Sequence, residues 1–322
     1  MLKKEVVKKA VHFDNPGRIP LFMFSGDLSR SDIVQVVLED WYMGEKRDLT
    51  EWGFYWDKDD NDPAGMGVPR DVLVKDWDDL EEYIKKYAPD PFKADRFKAL
   101  EGVEVGDKYL MGSLYLTGFT TMTFIRGFED LLMDMITDPD QVRKLADLVF
   151  GIENDIIRQM PKYGFDAVAL YDDWGTQRAM MVSPETWREI FKPYYKEQFD
   201  LAHSLGLDVF MHTCGDVRPI LDDYVELGLD MLNLGQLDLN GYENIKDNYK
   251  GKICFVQPIN YQTTGITGTK EDIYAEAKMI IDMLGGGEGG LIAELFDYEL
   301  MGWNPVDPKN TEYQINAFID QI

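Results

Sequence analysis

The residues best suited to chemistry in this chain lie just past short apolar runs. In Phe210-Met211-His212-Thr213-Cys214-Gly215-Asp216 an imidazole and a thiol stand two residues apart. On an extended strand such side chains point the same way, so His212 and Cys214 can converge on one ion. Imidazole with thiolate suits zinc, whose catalytic sites use about three protein ligands and keep one position open. The same pair also reads as packed neighbours at a strand end. A second run, Ala167-Val168-Ala169-Leu170-Tyr171, leads straight into Asp172-Asp173-Trp174-Gly175-Thr176-Gln177. A carboxylate there suits general acid or base work, or binding of a cation; the plain alternative is a helix N-cap or a loop ion pair. A third run, Gly290-Leu291-Ile292-Ala293, ends in Glu294, with Asp297 and Glu299 beyond. Glu294 can complete a His/Cys/Glu ligand set. Gln257 and Asn260 end another run and are neutral groups fit to orient a substrate.

Other reactive types read as structure. Cys254 sits inside Ile253-Cys254-Phe255-Val256, where a free thiol behaves as a small buried hydrophobe. His203 shares a helix with Phe199 and reads as a core or capping contact, and His12 has no partner by spacing. The methionines read as core filling. No phosphate-binding glycine loop occurs, since Gly285 to Gly290 precedes a strand, and neither Ser113 nor Ser183 sits in a nucleophile elbow.

The elements that must carry these groups alternate. Short runs rich in β-branched and aromatic residues are separated by amphipathic segments of helical length, the pattern of parallel strands joined by crossover helices. The expected strands are Ile19–Phe24, one near Gly53–Trp56, Tyr109–Leu114, Ala167–Tyr171, Leu207–His212, Met231–Leu234, Ile253–Gln257 and Gly290–Glu294. Ser183-Pro184 starts a helix that runs to Gly206; Asp138-Pro139 starts another; Thr269 or Gly268 starts a third, which Gly285-Gly286-Gly287 ends. Eight such strands predict a (β/α)8 TIM barrel, and no linker or repeat divides residues 1–322, the polar stretch Asp57 to Asp62 being too short for a tether. In that fold the active site lies at the C-terminal ends of the strands, where the groups above fall, and one of Asp172 and Asp173 must point near the axis. Residues 25–108 are the least regular, and a barrel strand is missing or displaced there.

Composition narrows the partners. Lys+Arg 33 against Asp+Glu 59 gives a net charge of −26, which repels nucleic acid and anionic lipid. No apolar run approaches the roughly 18 residues of a membrane span, and the start lacks an apolar signal core. The only two cysteines, Cys214 and Cys254, argue against a disulfide framework and for a reducing, cytoplasmic setting.

The segment from Asp172 to Asn233, with its His212-Thr213-Cys214-Gly215, resembles the uroporphyrinogen decarboxylase superfamily, in particular its corrinoid-linked methyltransferase branch. Gly17-Arg18-Ile19-Pro20, Arg126-Gly127-Phe128-Glu129, Asp138-Pro139 and Gly251-Lys252-Ile253-Cys254-Phe255 extend the resemblance over nearly the whole chain. It implies a (β/α)8 barrel. Decarboxylases of the tetrapyrrole carry an arginine-rich R-Q-A-G-R-Y segment after the first strand; this chain has Met23-Phe24-Ser25-Gly26-Asp27-Leu28-Ser29-Arg30 instead. The methyltransferase branch binds zinc through the His and Cys of H-x-C-G and a further Cys near the last strand. His212 and Cys214 match, no cysteine follows Cys254, and Glu294 or, second, Asp297 stands in the third place. A carboxylate in place of a thiolate makes a stronger Lewis acid, better matched to an oxygen or amine substrate than to a thiol.

The resemblance therefore implies methyl transfer between a small methylated compound and the cobalt of a corrinoid held by a partner protein. Zinc on His212, Cys214 and Glu294, or Asp172 or Asp173 as proton donor, would activate the leaving group. Tyr171, Trp174, Gln177, Gln257 and Asn260 would shape the substrate pocket. A methoxylated aromatic, giving O-demethylation, is the first expected donor and a quaternary amine such as a betaine the second. No tightly bound corrinoid of the chain's own is expected, and a homodimer is allowed. The rival reading is a metal-independent decarboxylase of a smaller acid.

Overall fold

A computed structural model describes residues 1–43, 47–57, 68–285 and 287–321. Eight parallel strands form the barrel: β1 Leu21–Met23, β2 Ile33–Val37, β3 Tyr109–Ser113, β4 Ala167–Tyr171, β5 Asp208–Thr213, β6 Met231–Leu234, β7 Cys254–Gln257 and β8 Leu291–Leu295. They neighbour one another in chain order from β2 round to β8, and β8 pairs with β1. At the remaining seam side chains do the work of a ladder. The Asp32 main-chain N–H donates to the Leu21 carbonyl (2.7 Å), while the Leu21 N–H donates back to Asp32 Oδ2 (2.8 Å) and the Met23 N–H to Ser31 Oγ (2.9 Å). Arg18 grips both oxygens of Asp32 at 2.6 and 2.7 Å. The edge that an open sheet would expose is thereby largely satisfied.

Alternation along each strand sorts side chains inward or outward. Phe22, Ile33, Tyr109, Met111, Ala167, Ala169, Phe210, Met231, Cys254, Val256 and Ile292 fill the barrel. Val7, Ala10 and Val11 of helix Lys3–Val11 join them and close the N-terminal end. The alternate residues, such as Val168, Leu170, Val209, Met211, Leu232 and Phe255, face the surrounding helices in the larger core. Towards the C-terminal end the inward positions turn polar. Gln35, Tyr171, His212, Asn233 and Glu294 are in phase with the apolar layer, with His212 level with both Tyr171 and Asn233.

Seven of the expected strands lie in this barrel within a residue or two. The strand expected near Gly53–Trp56 does not: Tyr55–Asp57 belongs to a separate antiparallel sheet with Trp41–Tyr42, Arg47–Thr50 and Val68–Arg70. The second barrel strand is Ile33–Val37, which the sequence reading passed over. The reason is local. β1 and β2 are joined by a short turn around the 3-10 segment Leu28–Arg30 rather than by a crossover helix, so the alternation that marks the other strands is absent. The sheet packs through Phe54 and Trp56 on Phe124, and through Trp41 on Tyr115 just beyond β3, with ring centroids 5.1 to 5.4 Å apart. Of the polar stretch Asp57 to Asp62 only Asp57 is within the described residues, paired with Arg47 and Arg70.

The helix signals hold at their starts. Ser183 Oγ accepts from the Thr186 N–H at 3.1 Å, and Thr269 shares a capping box with Asp272 at the head of helix Lys270–Leu284. Helix Pro139–Ile157 buries Val142, Leu145, Ala146, Val149 and Ile152 as its periodicity predicts. The helix expected from Ser183 to Gly206 is two, Pro184–Ile190 and Lys192–Ser204, broken where Pro193 lacks the N–H that would continue the ladder. Gly285 caps helix Lys270–Leu284 with φ +113°; Gly286 lies outside the described residues.

Candidate active site

The C-terminal ends of β4 and β5 bring three ligand-type groups together. One atom each of Asp173, His212 and Cys214 lies within 4.8 Å of the others. His212 Nε2 is 3.5 Å from Cys214 Sγ and 3.7 Å from Asp173 Oδ1. Asp173 Oδ1 also accepts from the Cys214 main-chain N–H at 2.8 Å, so the carboxylate bridges the two strand ends. Gly235, just past β6, is required beside them. A Cβ there would stand 2.9 Å from Cys214 Sγ and 3.5 Å from His212 Cε1. Burial, with the adjacent Asp173 charge, pushes the Cys214 thiol up.

The tautomer of His212 follows from its neighbours. Asn233 donates from Nδ2 to the Val256 carbonyl (2.5 Å) and to Glu294 Oε2 (2.8 Å), which leaves its Oδ1 as acceptor. That oxygen is 2.5 Å from His212 Nδ1, so Nδ1 carries the proton and the Nε2 lone pair faces Cys214 and Asp173. Glu294 is thus one residue removed from the cluster, linked through Asn233 and not among the converging groups. Burial pushes its carboxyl up to about 8 against the opposing Asn233 hydrogen bond.

Asp172 and Asp173, adjacent in sequence, part ways. Asp172 is fully buried on the outer side of β4, where it receives the Phe119 N–H (2.9 Å), the Thr120 N–H and hydroxyl (2.8 Å each) and the Tyr195 hydroxyl. It caps helix Gly118–Arg126. Gly118 N–H goes to another buried carboxyl, Glu153, at 2.8 Å. Burial raises Asp172 to about 7 and Glu153 to about 8, in both cases against hydrogen bonds that pull the other way. Thr120 Oγ1 also accepts from the Asp173 N–H (3.0 Å), so the cap locates Asp173 as well.

The other expected site residues divide similarly. Tyr171 points inward, its hydroxyl donating to Gln35 Oε1 (2.9 Å) and its ring 5.3 Å from that of His212. Trp174 does not reach the mouth. It is fully buried among Phe119, Trp187 and Phe191, with Nε1 donating to Tyr195 at 2.8 Å. Gln177 is exposed on the following loop. Gln257 alternates with the inward Val256 and therefore faces outward; with Asn260 it borders a crevice that also involves Tyr261, Glu276 and Met279. Gln257 Nε2 donates to the Leu234 carbonyl at 3.2 Å, and Asn260 Oδ1 accepts from the Gln262 and Thr263 N–H groups at 2.9 and 3.1 Å. Asp297 stays in the loop after β8, where its Oδ1 accepts from the Leu300 N–H at 3.1 Å, and Cys254 is packed in the inner apolar layer.

Several residues at the mouth escaped the sequence reading. Tyr115 is held at φ +58°, a conformation costly for a bulky residue, between Trp41 and Tyr171. Across the mouth Tyr261 stacks on Trp303 with centroids 4.9 Å apart, and Phe296 contacts Tyr261, Trp303 and Phe24. Burial, with the nearby Asp173 carboxylate, pushes the Tyr261 hydroxyl up. Gln35 and Asn233 carried a readable sign, since each is a lone polar residue at the inward phase of an apolar strand. The aromatic walls had none, because their members come from loops far apart in sequence.

Fold and site together define a (β/α)8 barrel with a nitrogen, sulfur and oxygen cluster at the strand ends, under an aromatic mouth. The chain belongs to the uroporphyrinogen decarboxylase (URO-D) family, whose model matches residues 74–295. A solved structure described as a methyltransferase from Methanosarcina mazei matches with TM-score 0.63 and 17% identity, covering 100% of this chain and 99% of that one. A chitinase from Chromobacterium violaceum ATCC 12472 matches at TM-score 0.39 and 10% identity over 93% and 98% of the two chains, too distant to bear on this one. No curated protein matches the sequence.

Proposed function

We propose that the protein is a methyltransferase that moves a methyl group between a small methylated substrate and the cobalt of a corrinoid carried by a separate protein. The observation that carries this reading is the convergence of His212, Cys214 and Asp173 beneath an aromatic-walled mouth. The donor set fits zinc: one imidazole whose lone pair is already aimed, one thiol, one carboxylate, and a glycine where a Cβ would crowd the sulfur. His212 Nε2, Cys214 Sγ and Asp173 Oδ1 would hold the ion, with Asp173 in the place that the sequence reading assigned to Glu294. Bound there, zinc supplies Lewis-acid stabilisation of a departing oxygen or nitrogen.

The chain's own residues supply the rest. Asn233 orients the imidazole, and Asp172, through Thr120, positions Asp173. Glu294, its carboxyl raised to about 8 by burial, holds a proton at the strand-end face of the barrel where a leaving group can take it. Tyr171 and Tyr115 on one side and Tyr261 on the other bind a flat or cationic methylated compound and exclude water. A methoxylated aromatic remains the first substrate to test and a betaine the second. An acidic chain with two free thiols and no described helix long and apolar enough to cross a membrane suits the cytoplasm.

A polycarboxylate substrate fits poorly. Among the described residues every arginine except the exposed Arg178 is paired with a carboxylate, including Arg30, whose guanidinium lies 2.9 and 3.0 Å from the Glu312 oxygens. The decisive assay follows demethylation of methoxylated aromatics and betaines with reduced corrinoid protein, alongside zinc analysis of wild type and Cys214→Ala. The proposal expects the wild type to hold one zinc equivalent more than Cys214→Ala, and corrinoid-dependent turnover that is lost with that equivalent. Carbon dioxide release from small carboxylic acids, without corrinoid protein and indifferent to Cys214→Ala, would establish the decarboxylase instead.

A further inference from the structure

The opposite, N-terminal end of the barrel carries the chain's two other histidines. Helix Lys3–Val11 closes this end and has His12 as its C-cap residue. Asp208 opens β5 there, and Asp230 immediately precedes β6. One ligand atom each of His12, Asp208 and Asp230 lies within 4.8 Å of the others, with His12 Nε2 3.1 Å from Asp208 Oδ1. Both carboxylates are held from behind. The Tyr109 hydroxyl donates to Asp208 Oδ2 at 2.5 Å, and Asp230 Oδ2 accepts from the Val209 N–H at 2.8 Å and lies 2.8 Å from His203 Nε2. Such outer partners are what fix ligand orientation around an ion.

The countercharge at this end is unusual. Lys4 and Lys8, the helix lysines that reach it, are both on Asp166 Oδ1, at 2.6 and 3.2 Å. No lysine or arginine among the described residues bonds to Asp208 or Asp230, whose ion-pair partners are the imidazoles of His12 and His203. Two neighbouring carboxylates in a chain of net charge −26 are thus bonded only by weak, titratable bases, the Lys8 ammonium acting on Asp208 from its seat on Asp166.

We propose that His12 Nε2, Asp208 Oδ1 and the Asp230 carboxylate form a second divalent-metal site, of zinc-type chemistry, with His203 bonded behind Asp230 and solvent completing the shell. An imidazole with two carboxylates suits zinc, cobalt or nickel, whereas calcium and magnesium prefer oxygen alone. The ion pins the N-terminal helix to β5 and the start of β6. Its role is structural closure of the barrel floor, independent of the chemistry proposed for the other end.

The test uses the His212→Ala/Cys214→Ala double variant, stripped with chelator, so that the strand-end cluster contributes nothing. Titration with zinc by calorimetry should give one equivalent and raise Tm, and cobalt should give weak visible bands without a thiolate charge-transfer band. Adding His12→Ala, at a half-exposed helix end, or Asp208→Asn, which keeps a partner for Tyr109, should abolish the equivalent and the Tm rise while the metal-free Tm stays close to that of the parent. No zinc equivalent in the double variant, or one indifferent to both substitutions, would overturn the site. Conversely, His12→Ala alone should keep one zinc and, with cobalt, a thiolate band, which separates failure here from failure at Cys214.

Discussion

Asn233 governs the site more than its neutral amide suggests. By giving both amide protons to Val256 and Glu294 it must accept from His212 Nδ1, and that presents the Nε2 lone pair to the cluster. Removing such an outer partner typically costs 10–100-fold in metal affinity. Asn233→Ala is therefore expected to weaken zinc binding by about that factor, measured by competition with a chromogenic chelator. Gly235→Ala should also lower zinc occupancy, because its new Cβ would meet Cys214 Sγ at 2.9 Å. Its metal-free unfolding transition should stay near that of the wild type; a large loss of stability with zinc retained would show that the glycine serves packing instead.

At the scale of elements, helix Gly118–Arg126 is held at its N-terminus by two buried carboxyls. Gly118 gives its N–H to Glu153, and Phe119 and Thr120 give theirs to Asp172. A helix start exposes free N–H groups and a partial positive charge, so a carboxylate there is stabilising, and its loss inside the core leaves several donors unpaired. Asp172→Ala is expected to destabilise the fold by about 3–5 kcal/mol, read from urea unfolding. Because Thr120 links Asp172 to the Asp173 N–H, the variant should also bind zinc more weakly. If stability fell and zinc affinity did not, Asp172 would be a cap and nothing more.

For the molecule as a whole, buried carboxyls and a net charge of −26 act in the same direction. Burial raises Glu153 from an ordinary 4.5 to about 8, and Glu39 is also raised well above its ordinary range by burial. Below the unfolded value both states hold the proton and nothing changes with pH. Between about 4.5 and about 8 the unfolded chain releases a proton that the folded chain keeps, so stability falls as pH rises; above about 8 the slope ends. Tm should accordingly drop from pH 5.5 to pH 8, roughly the span over which Glu153 holds its proton in the folded chain, and Glu153→Gln should flatten part of that decline in a calorimetric series. A Tm rising over the same range would contradict the protonated assignment. Screening of the surface charge by salt should raise Tm at pH 8 without removing the contribution of the buried groups.

The barrel, most of its strands and the pairing of His212 with Cys214 were legible in one dimension, because each rests on local periodicity. An inward strand position is known from its phase, and a residue two further on shares its face. Phase also marks Gln35 and Asn233 as lone polar residues on inner faces, although β2 itself was hidden where a short turn replaced a crossover helix. Asp172 and Asp173 show where such reasoning ends. Alternation says that they point opposite ways, but which one meets His212 depends on β4 lying against β5 in a particular register. Glu294, inward as its phase requires, is separated from the cluster because Asn233 of β6 stands between them, a fact of neighbouring strands around a closed ring. Trp174 and Gln257 looked like pocket residues by position, yet the outer core claimed the first and the outward phase of β7 turned the second away. The aromatic mouth and the His12–Asp208–Asp230 group join segments far apart along the chain. Proximity of that kind comes from burying the common core, which places loops that share no local signal side by side.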